Sequence, residues 1–233
     1  DKQLPSDRVV ELMHEYRTAS EFYKDFFGSK TPRTRALVYE QAVSGVRSEV
    51  VPHDLATDII RRAGRGGVSR CYCRHEAEHL GTRCSAPVDG ICLSVGEASD
   101  YMVRREFARR ASADELLSIL TSAEEMGLVH ISDNVQHEPA FICNCCGCCC
   151  GLLGGINQFN LPNALATSSF LAVCETERCI GCGTCVERCQ VHAIELADVE
   201  GGAAARVKEE RCLGCGVCVT GCPGGAMTMT ERE

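Results

Sequence analysis

Apolar residues at helical spacing predict two helices in the first part of the chain. Residues 6–27 carry apolar side chains three and four positions apart, and the pattern ends at Gly28. A second helical pattern covers Leu55–Ala63, which follows Pro52 and stops at Gly64. Glycine after the last apolar position is the residue that most readily ends a helix. Both segments are therefore predicted to be amphipathic helices.

The strongest helix signal covers residues 112–126. Ser112 and Glu115 form a capping box, leucines and an isoleucine give an apolar face, and Gly127 follows. Leu128–Ile131 is then predicted to be a short strand. Helix, turn and strand in this order resemble part of a winged-helix domain. An ordinary α+β support for metal-binding loops is the alternative.

Five other stretches have predictable backbone roles. The segment Arg61–Gly67 is rich in arginine and glycine, which predicts a flexible, basic turn. Ala193–Leu196 and Met227–Thr230 are predicted to be paired strands, with a hairpin loop at residues 198–205. The longest uncharged stretch, Pro139–Cys174, is too interrupted by polar residues, proline and glycine for a transmembrane helix. We expect it to wrap around metal clusters as buried chain, or to form a subunit interface.

Composition indicates metal-bound cysteines. The 233 residues include 19 cysteines in metal-site spacings, and no signal peptide is visible, so a reducing, cytoplasmic setting is expected. The net charge of −8 argues against a nucleic-acid partner and suits docking to a basic patch on a redox partner. Tryptophan is absent and aromatic residues make up 5%, which gives little sign of a stacking platform for bases or flavin.

A duplicated cysteine motif carries the clearest chemistry. A C-x-x-C-x-x-C-x-x-x-C run begins at Cys179 and recurs 33 residues later at Cys212. Residues 177–193 and 210–226 share ten identities in seventeen positions, which marks a duplicated unit. Eight cysteines at this spacing indicate a pair of [4Fe-4S] clusters. A zinc ribbon, which uses two C-x-x-C pairs, is the less suitable alternative.

Residues 172–230 resemble the bacterial two-cluster ferredoxin. The resemblance implies one cluster held by Cys179, Cys182, Cys185 and Cys222, and another held by Cys212, Cys215, Cys218 and Cys189. Pro223 follows the last cysteine of the second half, but Gln190 follows Cys189 in the first, so that turn is less rigid. The glycines between the cysteines are expected to approach the clusters closely and to tolerate φ > 0. They are Gly181, Gly183, Gly214 and Gly216.

The predicted fold class is α+β in two domains. Residues 1–171 are expected to form a mostly helical, cysteine-rich iron–sulfur domain, with the winged-helix-like element as an alternative for part of it. Residues 172–233 are expected to form the two-cluster ferredoxin-like domain.

Eleven further cysteines lie before this motif. One group comprises Cys71, Cys73, Cys84 and Cys92, and a second comprises Cys143, Cys145, Cys146, Cys148, Cys149 and Cys150. Adjacent cysteines project in different directions, so the second run is expected to split between two clusters. Four ligands from each group would give two more [4Fe-4S] clusters; one extra cluster pooling both groups, or zinc in one site, are the alternatives. Cys174 is expected to be a small buried apolar residue.

Two shorter patterns suggest other chemistry. The cysteine order resembles that of iron–sulfur subunits of anaerobic redox complexes, and Cys145-Cys146-Gly147 resembles the C-C-G element of heterodisulfide-reductase-type subunits. That element normally appears twice, but here it appears once.

The segment His75–His79 matches the H-E-x-x-H pattern of metalloproteases, but cysteines nearby would compete for the metal. We expect instead that Arg74 or His75 donates hydrogen bonds to cluster sulfur.

These patterns predict a non-catalytic electron-transfer subunit of an oxidoreductase complex. Its expected partners are a larger flavoprotein or metalloenzyme subunit and a soluble electron carrier, without nucleic acid and without a transmembrane segment. A catalytic reductase with a special cluster at Cys143–Cys150 is one alternative. The other is an iron–sulfur transcription regulator, suggested by two arginine clusters: Arg61, Arg62, Arg65 and Arg70, and Arg104, Arg105, Arg109 and Arg110.

Overall fold

The computed structural model describes residues 6–19, 21–44, 46, 54–135 and 137–232. Its helices are α1 (Asp7–Ala19), α2 (Phe22–Phe27), α3 (Ala56–Ala63), α4 (Tyr72–His79), α5 (Gly96–Arg104), α6 (Ala113–Glu125), α7 (Gly151–Asn157), α8 (Thr184–Arg188) and α9 (Val217–Thr220). Its strands are β1 (Thr34–Ala36), β2 (Arg65–Ser69), β3 (Cys92–Val95), β4 (Arg109–Ser112), β5 (Val129–Asp133), β6 (Phe141–Cys145), β7 (Phe170–Cys174), β8 (Ile194–Val199), β9 (Gly202–Val207) and β10 (Met227–Glu231).

A six-stranded antiparallel sheet organises the N-terminal part of the chain. The strand order is β1-β5-β6-β3-β2-β4. Helices α3 and α6 pack against it through a shared apolar cluster that includes Ile60, Leu116 and Leu120, all less than 2% exposed. The α+β class is confirmed, but the expectation of a mostly helical N-terminal region missed this sheet. The winged-helix interpretation gains no support, because β5 is an inner strand of the sheet.

Helix signals in the sequence correspond well to the structure. The predicted helix over residues 6–27 is divided into α1 and α2, and α3 ends at Gly64 with a left-handed φ of 69°. In α6 the hydroxyl of Ser112 accepts a hydrogen bond from the backbone N–H of Glu115 at 3.3 Å, as the capping box predicts. Pro52, which was expected to precede the second helix, lies outside the described residues.

The predicted basic turn at Arg61–Gly67 was wrong in its second half. Residues from Arg65 onward form β2, an inner strand between β3 and β4. Gly66 and Gly67 are buried there because the neighbouring strand and helix approach the backbone closely. A Cβ on Gly66 would lie 2.8 Å from the Leu116 side chain and would overlap the Ser94 carbonyl. Close packing, rather than flexibility, accounts for the glycines.

Strand pairing in the C-terminal part differs from the prediction. Strands occur near Ala193–Leu196 and Met227–Thr230, but they do not pair with each other. β8 pairs with β9 in a hairpin, and β10 pairs with β7, with Met227 opposite Cys174. The expected loop at residues 198–205 is consequently mostly strand, with a tight turn at Glu200 and Gly201.

The uncharged stretch Pro139–Cys174 is largely interior chain. It supplies β6, α7 and β7, and Ile142 and Leu153 are fully buried within it. The stretch thus contains much buried and half-buried chain, while its role around metal clusters and a subunit interface both stay predictions. In the described part of the chain, none of the helices has the length and apolar character needed to cross a lipid bilayer. The predicted domain boundary at residues 171 and 172 likewise stays a prediction.

Candidate metal centres

Eight C-terminal cysteines line two cavities. The first cavity is bordered by Cys179, Cys182, Cys185 and Cys222, together with other residues. The second is bordered by Cys189, Cys212, Cys215 and Cys218, together with other residues. Each cavity therefore combines three cysteines from one half of the repeat with the fourth from the other half. The chain brings these eight residues together in the grouping that the ferredoxin resemblance implies.

Glycines and short helices orient the thiols around both cavities. Gly183 and Gly216 adopt left-handed φ values of 75° and 81° directly before α8 and α9. Gly181 and Gly214 are also left-handed, at 66° and 70°. Backbone N–H groups then point at sulfur: Ala193 donates to Cys189 Sγ at 3.2 Å. The loops thus present hydrogen-bond donors to thiolates, which suits anionic cluster ligands.

The two cavities differ in exposure to solvent. Cys182 in the first cavity is exposed, and hydrogen bonds from the Thr184 hydroxyl and backbone lower its pKa. In the second cavity burial raises the pKa of Cys215 to about 12 and that of Cys218 well above the ordinary value. Ile180, next to the first cavity, is 70% exposed. The first cavity therefore has an exposed cysteine at its edge, whereas two of the four cysteines around the second, Cys212 and Cys218, are buried.

Cys174 is not an isolated apolar residue. It is only partly buried in β7, and its thiol hydrogen-bonds with that of Cys179. Burial, together with the Cys179 contact, raises the pKa of Cys174 to about 11. The expectation of a simple buried cysteine was wrong, because β7 carries the residue to the edge of the first cavity.

Four N-terminal cysteines converge in a compact group, which we call the four-cysteine site. It consists of Cys84, Cys146, Cys148 and Cys149, whose sulfur atoms all lie within 4.8 Å of one another. The Cys84 sulfur is 3.6 Å from that of Cys146 and 3.8 Å from that of Cys149, and the sulfurs of Cys148 and Cys149 are 3.7 Å apart. Although burial opposes ionisation, the Ala86 backbone N–H and the neighbouring thiols lower the pKa of Cys84 to about 7.

The other six N-terminal cysteines form a closed chain of thiol contacts, the six-cysteine ring. Each thiol hydrogen-bonds with two others, in the order Cys71, Cys73, Cys150, Cys145, Cys143, Cys92 and back to Cys71. Contacts with both ring neighbours lower the pKa of Cys71 to about 2 and that of Cys143 to about 5, and they also lower that of Cys150. The same contacts raise the pKa of the three cysteines between them. Around the ring, cysteines with a lowered pKa therefore alternate with cysteines whose pKa is raised.

Secondary structure explains how the ten thiols divide. Cys143 and Cys145 lie two residues apart on β6, so their side chains point to the same face, and the antiparallel pairing with β3 places Cys92 beside Cys143. Cys146 lies just beyond the end of β6 and joins the other site. Cys71 and Cys150 stand directly before α4 and α7.

The predicted grouping by sequence proximity was wrong for this region. Four ligands from residues 71–92 and four from 143–150 would make two separate local sites. In the structure the two sequence groups are mixed. Cys84 lies in the four-cysteine site, whereas Cys71, Cys73 and Cys92 lie in the six-cysteine ring. Cys146, Cys148 and Cys149 of the Cys143–Cys150 run converge with Cys84, while Cys143, Cys145 and Cys150 do not join them; the expected division of the run between two clusters stays a prediction.

Arg74 lies between the two N-terminal sites. Only 1% of the residue is exposed, and its guanidinium donates to the carbonyl oxygen of Asn144 at 2.9 Å. Although burial opposes its charge, the nearby Cys146 and Cys71 raise the pKa of Arg74, and its side chain hydrogen-bonds with Cys146. A buried cation thus lies against cysteine sulfurs of both sites, in line with the expectation of Arg74 donating to sulfur.

Gln190, the residue that replaces proline in the first repeat, joins the two halves of the molecule. Its side-chain oxygen accepts a hydrogen bond from the Gly147 backbone N–H at 2.7 Å, and its side-chain nitrogen donates to the Gly127 carbonyl at 3.0 Å. Asn157 donates to the carbonyls of both Gly147 and Gln190, at 3.2 and 3.0 Å. The loop after Cys189 is therefore tied directly to the loop that carries Cys146 and Cys148.

The H-E-x-x-H segment is used in packing. Glu76 forms an ion pair with Arg17 and contacts His14 at 3.2 Å, and His79 contacts Asp7 at 2.6 Å. His75 is buried, and its ring nitrogens have no hydrogen-bond partner among the described residues. A carboxylate paired with arginine is poorly placed to act as a general base, so the protease pattern has no functional support.

Both arginine clusters contain ion pairs with acidic residues. Arg65 and Arg110 contact Asp100 at 3.2 and 2.6 Å, and Arg61 contacts Glu40 at 3.2 Å. These carboxylates offset the charge that a nucleic-acid interface needs.

Comparison with protein families matches residues 178–226 to the 4Fe-4S dicluster domain. A comparison with curated proteins gives no match for this chain. The matched segment contains all eight cysteines that line the two C-terminal cavities. Residues 178–226 are therefore an iron–sulfur, ferredoxin-like region, and the chain as a whole is a mixed α+β protein that carries this region near its C-terminus.

Proposed function

We propose that this protein transfers electrons through iron–sulfur clusters between a flavin- or metal-containing oxidoreductase partner and another carrier. The observation that carries the proposal is the pair of cavities, each lined by four cysteines in the crosswise arrangement of the duplicated motif. A [4Fe-4S] cluster, when bound, supplies a one-electron redox centre. The resemblance to subunits of anaerobic redox complexes supports this role.

The chain's own residues are arranged for stepwise transfer. Cys182 and Ile180 bring the first cavity to the surface, where a carrier can approach. At the second cavity Cys212 and Cys218 are buried, so water reaches these two ligands less readily. Exposure and N–H···S hydrogen bonds both alter the potential of an iron–sulfur centre. We infer that the two sites differ in reduction potential. We call the site at the first cavity the outer station and the site at the second cavity the inner station.

The N-terminal cysteines continue the series. Gln190 links the backbone that follows Cys189 to the loop carrying the four-cysteine site and Cys150 of the six-cysteine ring. At least one further iron–sulfur centre, held by the six-cysteine ring, would then receive electrons from the inner station. This extends the route from the surface at Ile180 into the sheet domain.

Metal analysis of protein purified without air tests the proposal. We expect about eight irons and eight sulfides per chain from the C-terminal sites, plus those of the ring. The reduced protein should show several interacting S = 1/2 signals by electron paramagnetic resonance. A single uncoupled signal with about four irons per chain would defeat the proposal.

Two substitutions make the assignment specific. Cys215→Ser removes a thiolate from the inner station and should lower the iron content by up to about four per chain. Cys174→Ser is the matched control, because Cys174 lies beside the first cavity without belonging to either set of four, and it should leave the iron content unchanged. Equal losses from both variants would contradict the ligand assignment.

The six-cysteine ring also favours a second candidate function, a reductase. Six thiols exceed the four that hold an ordinary [4Fe-4S] cluster, and Cys145 of the C-C-G element is one of them. With a reduced low-potential viologen as continuous electron donor, the isolated chain would then reduce a disulfide or a quinone by two electrons per turnover. Absence of turnover with both substrate classes, in protein with full iron content, would exclude this candidate.

A further inference from the structure

The spacing of sulfur atoms in the four-cysteine site indicates a single metal ion. Three sulfur pairs are 3.6, 3.7 and 3.8 Å apart, and all four atoms lie within 4.8 Å of one another. Four thiolates around one tetrahedral ion, at a metal–sulfur distance of about 2.3 Å, have sulfur–sulfur edges of about 3.8 Å. The observed spacing agrees with this tetrahedron.

An iron–sulfur cube requires a wider arrangement. Each of its cysteine thiolates binds a different iron at a separate corner, so the four sulfurs stand further apart than they do around one ion. Throughout the described ranges, the four-cysteine site is the one group of cysteine, histidine or acidic side chains that converges this tightly. The eight C-terminal cysteines line two cavities without converging this tightly. The four-cysteine site therefore suits a single metal ion, whereas the C-terminal cysteines suit clusters of several iron atoms.

The ligand set and its surroundings select zinc. Four protein sulfurs close the coordination shell, which is the composition of structural zinc sites. Cys146, Cys148 and Cys149 come from one short loop, and Cys84 comes from the segment after α4. Four thiolates and one divalent ion leave two negative charges, and the buried guanidinium of Arg74 at Cys146 offsets part of them.

We propose that Cys84, Cys146, Cys148 and Cys149 bind one structural zinc ion. The ion would fasten the loop between β6 and α7 to the segment after α4. Cys145 and Cys150 flank the three loop ligands in sequence and belong to the six-cysteine ring. The zinc would thereby fix the positions of two ring thiols without taking part in electron transfer.

The first test is made on the full chain, purified without air from medium containing both zinc and iron. We expect one zinc per chain, and X-ray absorption at the zinc edge should show four sulfur neighbours at about 2.3 Å. Zinc well below one per chain, a nitrogen or oxygen neighbour in the first shell, or mononuclear iron in place of zinc would overturn the proposal.

The second test separates this site from the iron–sulfur centres. Cys148→Ser should lose the zinc while retaining the iron and sulfide of the C-terminal sites. Cys182→Ser, at the equally exposed cysteine of the first cavity, is the matched control and should lose iron while retaining zinc. Loss of iron and sulfide in equal amounts from Cys148→Ser, with the zinc unchanged, would show a cluster at this site and overturn the proposal. Because zinc and iron are counted separately, failure of the zinc site is distinguishable from failure of the electron-transfer proposal.

Discussion

The guanidinium of Arg74 lies among thiols of both N-terminal sites, where water cannot screen it. Thiolates brought together in a buried region repel one another, and a fixed cation reduces that repulsion. The carbonyl of Asn144 holds the guanidinium in place. A single side chain thus couples the electrostatics of the four-cysteine site to those of the six-cysteine ring.

Replacing Arg74 with methionine keeps most of the volume and removes the charge. We expect Arg74→Met to lower the free energy of unfolding by about 3 kcal/mol, because buried thiolates lose their cation. Anaerobic urea unfolding measures the change. Arg83→Met is the control: Arg83 pairs with Glu78 at 3.4 Å at the surface, with 40% of its side chain exposed, and should cost less than about 1 kcal/mol. Similar losses in both variants would contradict the role given to Arg74.

At the scale of elements, strand β2 shows where local sequence is misleading. Its glycines are needed because the Ser94 carbonyl and the Leu116 side chain leave no room for a Cβ at Gly66. We expect Gly66→Ala to lower the free energy of unfolding by about 2 kcal/mol, through overpacking between the sheet and α6. Thermal or urea unfolding of the holo protein measures it.

Gly151, where a Cβ has room, is the control for Gly66. The Cβ of Gly151→Ala would have its nearest neighbour at 3.8 Å, an ordinary contact, and α7 begins at this residue. Alanine there should be neutral or slightly stabilising, since it favours the helix. If Gly66→Ala proved equally neutral, β2 would not be packed as tightly as the structure shows.

The same elements show what sequence could and could not predict. Helices α3 and α6 were recognisable because caps and apolar spacing are encoded within each segment. The cysteine repeat was recognisable because its ligand spacing is local. The division of the N-terminal cysteines was not, since it depends on the end of β6 and on the β3–β6 pairing, which bring Cys84 and Cys92 to different neighbours. Long-range pairing leaves no local pattern.

At the scale of the whole molecule, Gln190 connects the ferredoxin-like region to the loops that follow α6 and β6. Gln190→Ala would leave the Gly147 N–H without its partner and free the Gly127 carbonyl. We expect a loss of about 1–3 kcal/mol in the free energy of unfolding and weaker magnetic interaction between the inner station and the ring, with unchanged iron content. Gln41→Ala, at an exposed position in the Glu40–Val43 turn, should change neither. An unchanged magnetic interaction in Gln190→Ala would mean that this contact does not hold the inner station and the ring in their relative positions.

Negative charge and an exposed apolar residue beside the first cavity are expected to govern how fast an electron carrier reacts with this protein. The chain carries a net charge of −8, and Ile180 is an exposed apolar residue beside the first cavity. A basic c-type cytochrome should therefore oxidise the reduced protein at a rate that falls as ionic strength rises, because salt screens the attraction. Stopped-flow spectroscopy measures this second-order rate.

Ile180→Asn tests whether the carrier docks at the first cavity. Losing one apolar contact of about 1 kcal/mol should lower the rate about fivefold without changing its salt dependence, since no charge is altered. Leu12→Asn, at a similarly apolar exposed position on α1, should leave the rate unchanged. If Leu12→Asn slowed the reaction and Ile180→Asn did not, electrons would leave through the N-terminal face, and the outer station would have to be reassigned to that end of the molecule.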